Sequence, residues 1–357
     1  MKIIKGIWKD PLGASGLVVI LISAFLALFA YLFISDKSPN ANEMHLALSN
    51  LEPGTKITFL ATPKDVEESN AWQRFWQGQS LAVNRIPIST FRLEDQTVYY
   101  KEFGALEDEA EKSMDLGTHY SPEEIEAQQF IQERRFLFGS DRYGRDLLSR
   151  LILGARVSFS VGFLAVLISL IIGIPLGAIA AYYGGWVDKV ILWLINVVWS
   201  IPGLLMVIAI TLALGKGLWQ VFIAIGFTMW VEVARVIRGQ ILSIREKEYV
   251  QAAKVLGFSD MRIIFRHILP NAVSPLIVIS AANFAAAILV ESGLSFLGLG
   301  AQPPQPTWGT MIKDHYAYLI MDKAYLAILP GLAIMLLVLS FMFVGNALRD
   351  TLDVRSS

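Results

Sequence analysis

Six separate stretches of apolar sequence, each near the ~20 residues a helix needs to cross the hydrocarbon core of a bilayer, constrain this chain more than any other feature. They cover roughly residues 16–34, 157–181, 190–214, 218–237, 272–295 and 325–345. Hydrocarbon offers the backbone no water, so each stretch must satisfy its own N–H and C=O groups, which predicts six transmembrane helices. Composition agrees, with 54% hydrophobic and only 17% charged residues. The first run lacks a small-residue cleavage site and is followed by a long polar segment, so it is expected to be an uncleaved anchor.

Orientation follows from lysine and arginine in the short connections. Lys2, Lys5 and Lys9 precede the first run, and Arg235, Arg238, Arg245, Lys247, Lys254, Arg262 and Arg266 accompany the end of the fourth. Both segments are expected in the cytoplasm, and with six spans both termini are too. Arg142, Arg145, Arg150 and Arg156 fall on the opposite side, at the end of a long loop where the rule is weak. The net charge of −1 hides this segregation. With no cysteine in the chain, an extracytoplasmic region must hold together without disulfides, and thiolate metal sites and cysteine nucleophiles are excluded.

About 120 residues separate the first two runs, too many for an unstructured connection. Ser121-Pro122-Glu123-Glu124 has the form of a capping box with proline at the first helical position and predicts a helix towards Glu133. Thr62-Pro63-Lys64-Asp65 predicts another helix start. Residues 86–100 alternate on either side of Glu94-Asp95 and predict a hairpin. A small α+β insertion results, with Trp72, Phe75, Trp76, Phe91, Tyr99 and Tyr100 as the aromatic residues available for burial.

Between the fourth and fifth runs lies a basic, helical island. Tyr249, Ala252, Ala253 and Leu256 recur at helical spacing and form one apolar face, and Gly257 supplies a stop. Ser259 can cap a second short helix in which Met261, Ile264, Phe265 and Ile268 repeat the spacing, and Pro270 is expected to close the unit. Two short helices meeting at a glycine elbow make a docking surface.

This island resembles the EAA loop of ATP-binding-cassette importer permeases: Glu-Ala-Ala, three residues, Gly, nine residues, Ile, any residue, Leu-Pro. Ala252, Ala253, Gly257, Leu269 and Pro270 are in register; Gln251 replaces the Glu and His267 the Ile. Residues 266–271, Arg-His-Ile-Leu-Pro-Asn, are similar to the dipeptide, oligopeptide and nickel branch. Gly139-Ser140-Asp141 with Gly144-Arg145-Asp146 resembles the segment preceding the core in that family. Leu147, Leu148, Leu151, Ile152 and Ala155 then predict an interfacial helix over 139–156 whose arginines meet lipid phosphate, with a direct role in receiving substrate as the alternative. Further matches are Tyr182 to Gly185 with Asp188, residues 294–300, Pro303-Pro304, Trp308-Gly309 and residues 348–353. The resemblance covers residues 138–355 strongly and 1–34 weakly, and says little about 40–135.

No enzyme chemistry is visible. There is no Gly-x-x-x-x-Gly-Lys-Ser/Thr phosphate loop, and His45, His119, His267 and His315 have no metal-ligand spacing. Among polar residues in the spans, Glu232 is expected to pair with Arg235 one turn away, near the cytoplasmic end, with substrate contact as the alternative. Asn196, Ser200 and Pro202, with Asn283 and Glu291, are the candidate lining of a path, since Pro202 frees a backbone carbonyl and polar groups in a span face helices or water.

The expectation is therefore an all-α membrane protein with six transmembrane helices and an extracytoplasmic α+β insertion. Its parts are a tail and anchoring helix (1–35), the insertion (36–138), the interfacial helix (139–156), a five-helix core (157–346) with coupling loop 238–271, and a cytoplasmic tail (347–357). The resemblance implies the second permease of a binding-protein-dependent importer in a bacterial or archaeal plasma (inner) membrane, with di- or oligopeptides as substrate. Nickel chelates, glutathione or antimicrobial peptides are alternatives. It implies a homologous permease, two ATPase subunits, an extracytoplasmic binding protein and membrane lipid as partners. It implies no nucleic acid and no cofactor in this chain, ATP and magnesium belonging to the ATPases. Coupling would rest on Tyr249, Ala252, Ala253, Leu256, Gly257, Arg266, His267, Leu269 and Pro270. An ion-gradient transporter or a membrane scaffold are rivals; the first lacks a clear repeat and the second needs no docking loop.

Overall fold

The computed structural model describes residues 2–66, 70–106 and 108–353. The chain opens with α1 (Lys2–Lys9), α2 (Pro11–Leu28) and α3 (Ala30–Phe33). Asp10 starts α2 by accepting from the Gly13 amide at 2.9 Å, with Pro11 at the first helical position, so the first span begins earlier than its apolar run. The insertion follows as β1 (Thr55–Pro63), α4 (Ala71–Gln77), β2 (Val83–Glu94), β3 (Thr97–Glu102), β4 (Lys112–Asp115), α5 (Pro122–Glu126) and β5 (Ile131–Phe136). The remaining helices are α6 (Leu147–Tyr183), α7 (Gly185–Ser200), α8 (Gly203–Leu214), α9 (Leu218–Ile244), α10 (Glu248–Val255), α11 (Asp260–Ile263), α12 (Val273–Phe296), α13 (Trp308–His315) and α14 (Tyr325–Asp353).

Among the described residues, five segments are long and apolar enough to span a membrane: α2, α6, α9, α14 and the continuous helical stretch Asp260–Phe296. The remaining apolar run, 190–214, is no straight span. It is α7 and α8, bent by 90° at Ile201-Pro202. Apolarity alone did not reveal the break, because both sides of it are apolar. The core of the bundle is α6 against α9, where a Cβ on Gly177 would collide with Ile237 and the Ala234 carbonyl. Polar Ser169 and apolar Val161, Ala165, Val233 and Ile237 are buried along this pair. The final helix runs on to Asp353, so most of the expected tail from 347 is helical, and residues 354–357 lie outside the described ones.

The insertion is an antiparallel sheet in the order β4-β3-β2-β1-β5. The hairpin is as expected, with Glu94 paired to Thr97 across the turn. Alternation along β1 sends Ile57 and Phe59 to one face, against Leu48 and Phe136, and Leu60 to the other, against Val98, Leu116 and Phe130. Two expectations fail. The Ser121 capping box forms but α5 ends at Glu126, and Thr62-Pro63 closes β1 instead of opening a helix. In both places pairing across the sheet with β1 or β2 claims the backbone that local signals assigned to helix.

The aromatic residues expected in the core also divide. Tyr100 is buried, whereas Trp72 and Trp76 on α4 are exposed. Helix α4 lies beside the end of the first span, with Phe75 edge-on to Phe29 and the Tyr31 hydroxyl donating to the Gln77 carbonyl at 3.0 Å. An aromatic helix there matches the belt at a membrane surface.

Residues 139–156 form no separate interfacial helix. A tight loop precedes α6, whose N-cap is Asp146, and α6 runs unbroken for 37 residues. Nor do the arginines reach for lipid. Asp141 accepts from the Tyr143 amide (2.8 Å), the Arg145 amide (3.0 Å) and Arg145 Nε (2.7 Å), and Arg150 Nε lies 3.7 Å away. Arg145 also donates to Asn42, and Arg156 to the Ala27, Leu28 and Trp76 carbonyls. Gly144 has φ +73° and packs so close to the His45 carbonyl that a Cβ would collide. The loop is a rivet joining the insertion to α6, and its charges are spent internally, which is why they defied the orientation rule.

Candidate coupling elbow and membrane groove

At the far end of α6, some 55 Å from the rivet at 1.5 Å per residue, α10 and α11 form the expected elbow. Gly257 has φ +75°, and the Phe258 amide bonds back to the Ala253 carbonyl at 3.1 Å, closing α10 with a left-handed C-terminal turn. Bonds from outside hold the elbow in place. Tyr182 donates to Asp260 at 2.7 Å, and Arg245 to the Ala181 carbonyl at 2.6 Å. Gln251, which stands where the family pattern has Glu, donates its amide to the Arg245 carbonyl at 2.8 Å. A carboxylate could not make that bond.

The apolar face read from the sequence is split. Ala253, 3% exposed, turns inward with Val250 onto Ile241, Ile244, Ile263 and Ile268. Tyr249, Ala252, Leu256 and Gly257 face outward. Met261 and Phe265 are exposed while Ile264 and Ile268 are buried. Val255 (88% exposed) and Leu256 (71%) are thus exposed apolar residues on the same elbow as Tyr249, Met261 and Phe265. Val255 and the inward role of Val250 were missed because an eight-residue helix has too few turns to show which side the bundle takes.

Arg266 is exposed, His267 stacks on Phe258 with ring centroids 5.9 Å apart, and Leu269 packs on the bundle cluster. Pro270 does not close the unit. The chain stays helical through a π turn (Ile264–Ile268) and a 3-10 turn (Leu269–Ala272) into α12. The widened turn accommodates the missing proline N–H, and Asn271 Nδ2 donates to the His267 carbonyl at 2.7 Å.

Within the membrane-spanning part, Asn196 accepts from Arg235 at 3.0 Å, and the Arg235 guanidinium lies 3.4 Å from the Trp199 ring centroid. The expected Glu232–Arg235 pair is not formed; α7 supplies better partners than the neighbouring turn. Ser200 and Pro202 are exposed at the bend. Asn283 and Glu291 are buried, Glu291 accepting from Ser295 at 2.6 Å, so they lie in helix packing and not on an open face. A bidentate pair, Arg238 to Asp188 at 2.6 and 2.7 Å, ties α9 to the start of α7.

Between α9, α12 and the end of α14 runs a groove of about 730 Å³, lined by Val236, Gln240, Ser243, Ser274, Val278 and Ala282 and, beside the elbow, by Lys247, Asn271 and Arg349. A helical bundle with a broken span, a polar groove and an exposed elbow is the architecture expected of a membrane permease. The chain belongs to the family described as binding-protein-dependent transport system inner membrane component, whose pattern matches residues 173–356. It is 44% identical over 216 residues to the dipeptide transport system permease protein DppC of Alkalihalophilus pseudofirmus, covering 60% of this chain and 71% of that one. It is 40% identical over 215 residues, with the same coverage, to the glutathione transport system permease protein GsiD of Pectobacterium atrosepticum. Among solved structures, an inward-facing methionine ABC transporter, MetNI, aligns with TM-score 0.48 and 17% identity over 57% of this chain and 97% of that one.

Proposed function

We propose that this chain is the membrane-embedded permease of an ATP-driven importer of di- or oligopeptides. The observation that carries the reading is the exposure of apolar Tyr249, Val255, Leu256, Met261 and Phe265 on the elbow that closes the bundle end opposite the insertion. Exposed apolar clusters of this kind on a polar loop mark protein contacts. Two ATPase subunits would dock there, with the elbow facing the cytoplasm; a homologous permease would complete the path and a binding protein deliver solute on the insertion side. The chain would do no covalent chemistry. ATP-driven closure would move the elbows and rock the bundles between two access states.

Glutathione is the second reading, favoured by the relatives that carry that name. Uptake of labelled dialanine and of labelled glutathione, compared in cells lacking this chain and in complemented cells, decides between them. Restoration of dialanine uptake supports the first reading; restoration of glutathione uptake alone replaces it. If neither depends on this chain or on ATP, the importer reading fails.

A further inference from the structure

We propose that Glu232 is a counter-charge at the head of the α9–α12 groove, placed to take the ammonium group of a solute in transit. The proposal rests on the permease reading and adds a specificity-determining residue to it. Glu232 lies one residue from the centre of the 27-residue α9, at the end of its apolar first half, and its side chain is exposed. Among the described residues it has no hydrogen bond and no ion pair. Ionisable groups at that depth face water or a partner, because a charge against lipid is costly.

Water is the occupant the geometry favours. Val236 and Gln240, one and two turns along the same face, line the groove, so Glu232 continues its wall towards the centre of the membrane. The helix break at Ile201-Pro202 sits at the same level, because Arg235 touches Asn196 and Trp199 just before it. Broken backbone at membrane depth is tolerated only inside protein or beside a water-filled cavity, and here Ser200, Ile201, Pro202 and Gly203 are all exposed. Arg235, which could have neutralised Glu232, is instead held on α7. The groove therefore has a carboxylate beyond its head, the polar side chains of Gln240, Ser243 and Ser274 along it, and the cations Lys247 and Arg349 in its lining. Glu232 is thus the acidic group placed to meet an ammonium at the membrane-centre end.

The test uses the complete transporter in nanodiscs and the absence of cysteine from this chain. Val236→Cys places a thiol one turn from Glu232, about 6 Å away, and its modification by a cationic and by an anionic methanethiosulfonate is followed on this chain by mass spectrometry. Both reagents should react, and Glu232→Gln should lower the cationic-to-anionic rate ratio about tenfold, as one unit charge at that distance in a partly wet site implies. In parallel, dialanine uptake should fall at least about fivefold in Glu232→Gln and recover in Glu232→Asp, by the same electrostatic argument. A thiol that neither reagent reaches, a ratio unchanged by Glu232→Gln, or uptake that drops without a change in ratio each overturns the proposal. The last result would mean that Glu232 pairs with a cation of a partner chain. If the wild-type complex moves no dialanine, the peptide reading fails, while the reagent ratio still decides the fate of Glu232.

Discussion

Ala253→Glu should abolish transport without preventing membrane insertion, because it removes the elbow's anchor and leaves the spans intact. Helix α10 has only eight residues, well below the 12–15 at which isolated helices become even marginal in water, so tertiary packing must hold it. That packing is chiefly Val250, fully buried, and the Ala253 methyl. Together they contribute about 2–4 kcal/mol at the usual transfer values. A carboxylate at position 253 would sit among Ile241, Ile244, Ile263 and Ile268, and its desolvation costs several kcal/mol even after relaxation. The penalty exceeds the packing, so α10 undocks, and Lys247, Lys254 and Arg262 become open to trypsin. Ala252→Glu is the matched control: the same charge one residue earlier, on the exposed side, should alter stability by less than about 0.5 kcal/mol and leave the trypsin pattern unchanged. It should still reduce transport, by placing charge in the docking patch. Both variants are compared for membrane level, limited proteolysis, ATP hydrolysis and uptake in the assembled transporter. Wild-type uptake by Ala253→Glu would refute the anchoring argument, and wild-type uptake by Ala252→Glu would refute the docking face.

Asp141→Ala should destabilise the joint between insertion and bundle by about 3–5 kcal/mol, since it strands the buried Arg145 and Arg150. Asp314→Ala, which breaks the more exposed pair with Arg142, should cost under about 1 kcal/mol, and thermal unfolding of the detergent-solubilised protein compares the two. The same joint should weaken in acid. Burial raises the Glu43 pKa, but the His45 hydrogen bond and the charges of Arg85 and Arg134 outweigh it and hold the carboxyl at about 2. Its contribution, roughly 3 kcal/mol, is present above pH 4.5 and lost as pH falls towards 2; Glu43→Gln should flatten that limb of a stability-versus-pH curve. His315, lowered by burial and with Nε2 accepting from the Arg142 amide, favours its neutral form, so its contribution begins to fade as pH drops below 6.5, and His315→Gln should remove that earlier loss. Finally, cysteines introduced singly at Thr118 on the insertion and at Ser259 on the elbow should be labelled by an impermeant reagent from opposite sides of the membrane; labelling of both in intact cells would refute the topology.

Local chemistry in the sequence determined a good deal of this protein. The apolar runs located the spans, because hydrocarbon leaves the backbone no alternative to helix. Glu94-Asp95 located the hairpin, Ser121 its capping box, and Gly257 the elbow, each through a conformational preference confined to a few residues. Tertiary structure decided the rest, for a common reason: the outcome depended on partners distant in the chain. Asp141 turned Arg145 and Arg150 from lipid ligands into a rivet, and Asn196 and Trp199 took Arg235 away from Glu232. Pairing of β1 with β2 and β5 overrode the helix signals at Thr62 and beyond Glu126. Which side of α10 packs and which side is offered to another protein was set by the ends of α6 and α9. An eight-residue periodicity shows that a helix has an apolar face, but only the surface against it settles whether that face is buried or presented.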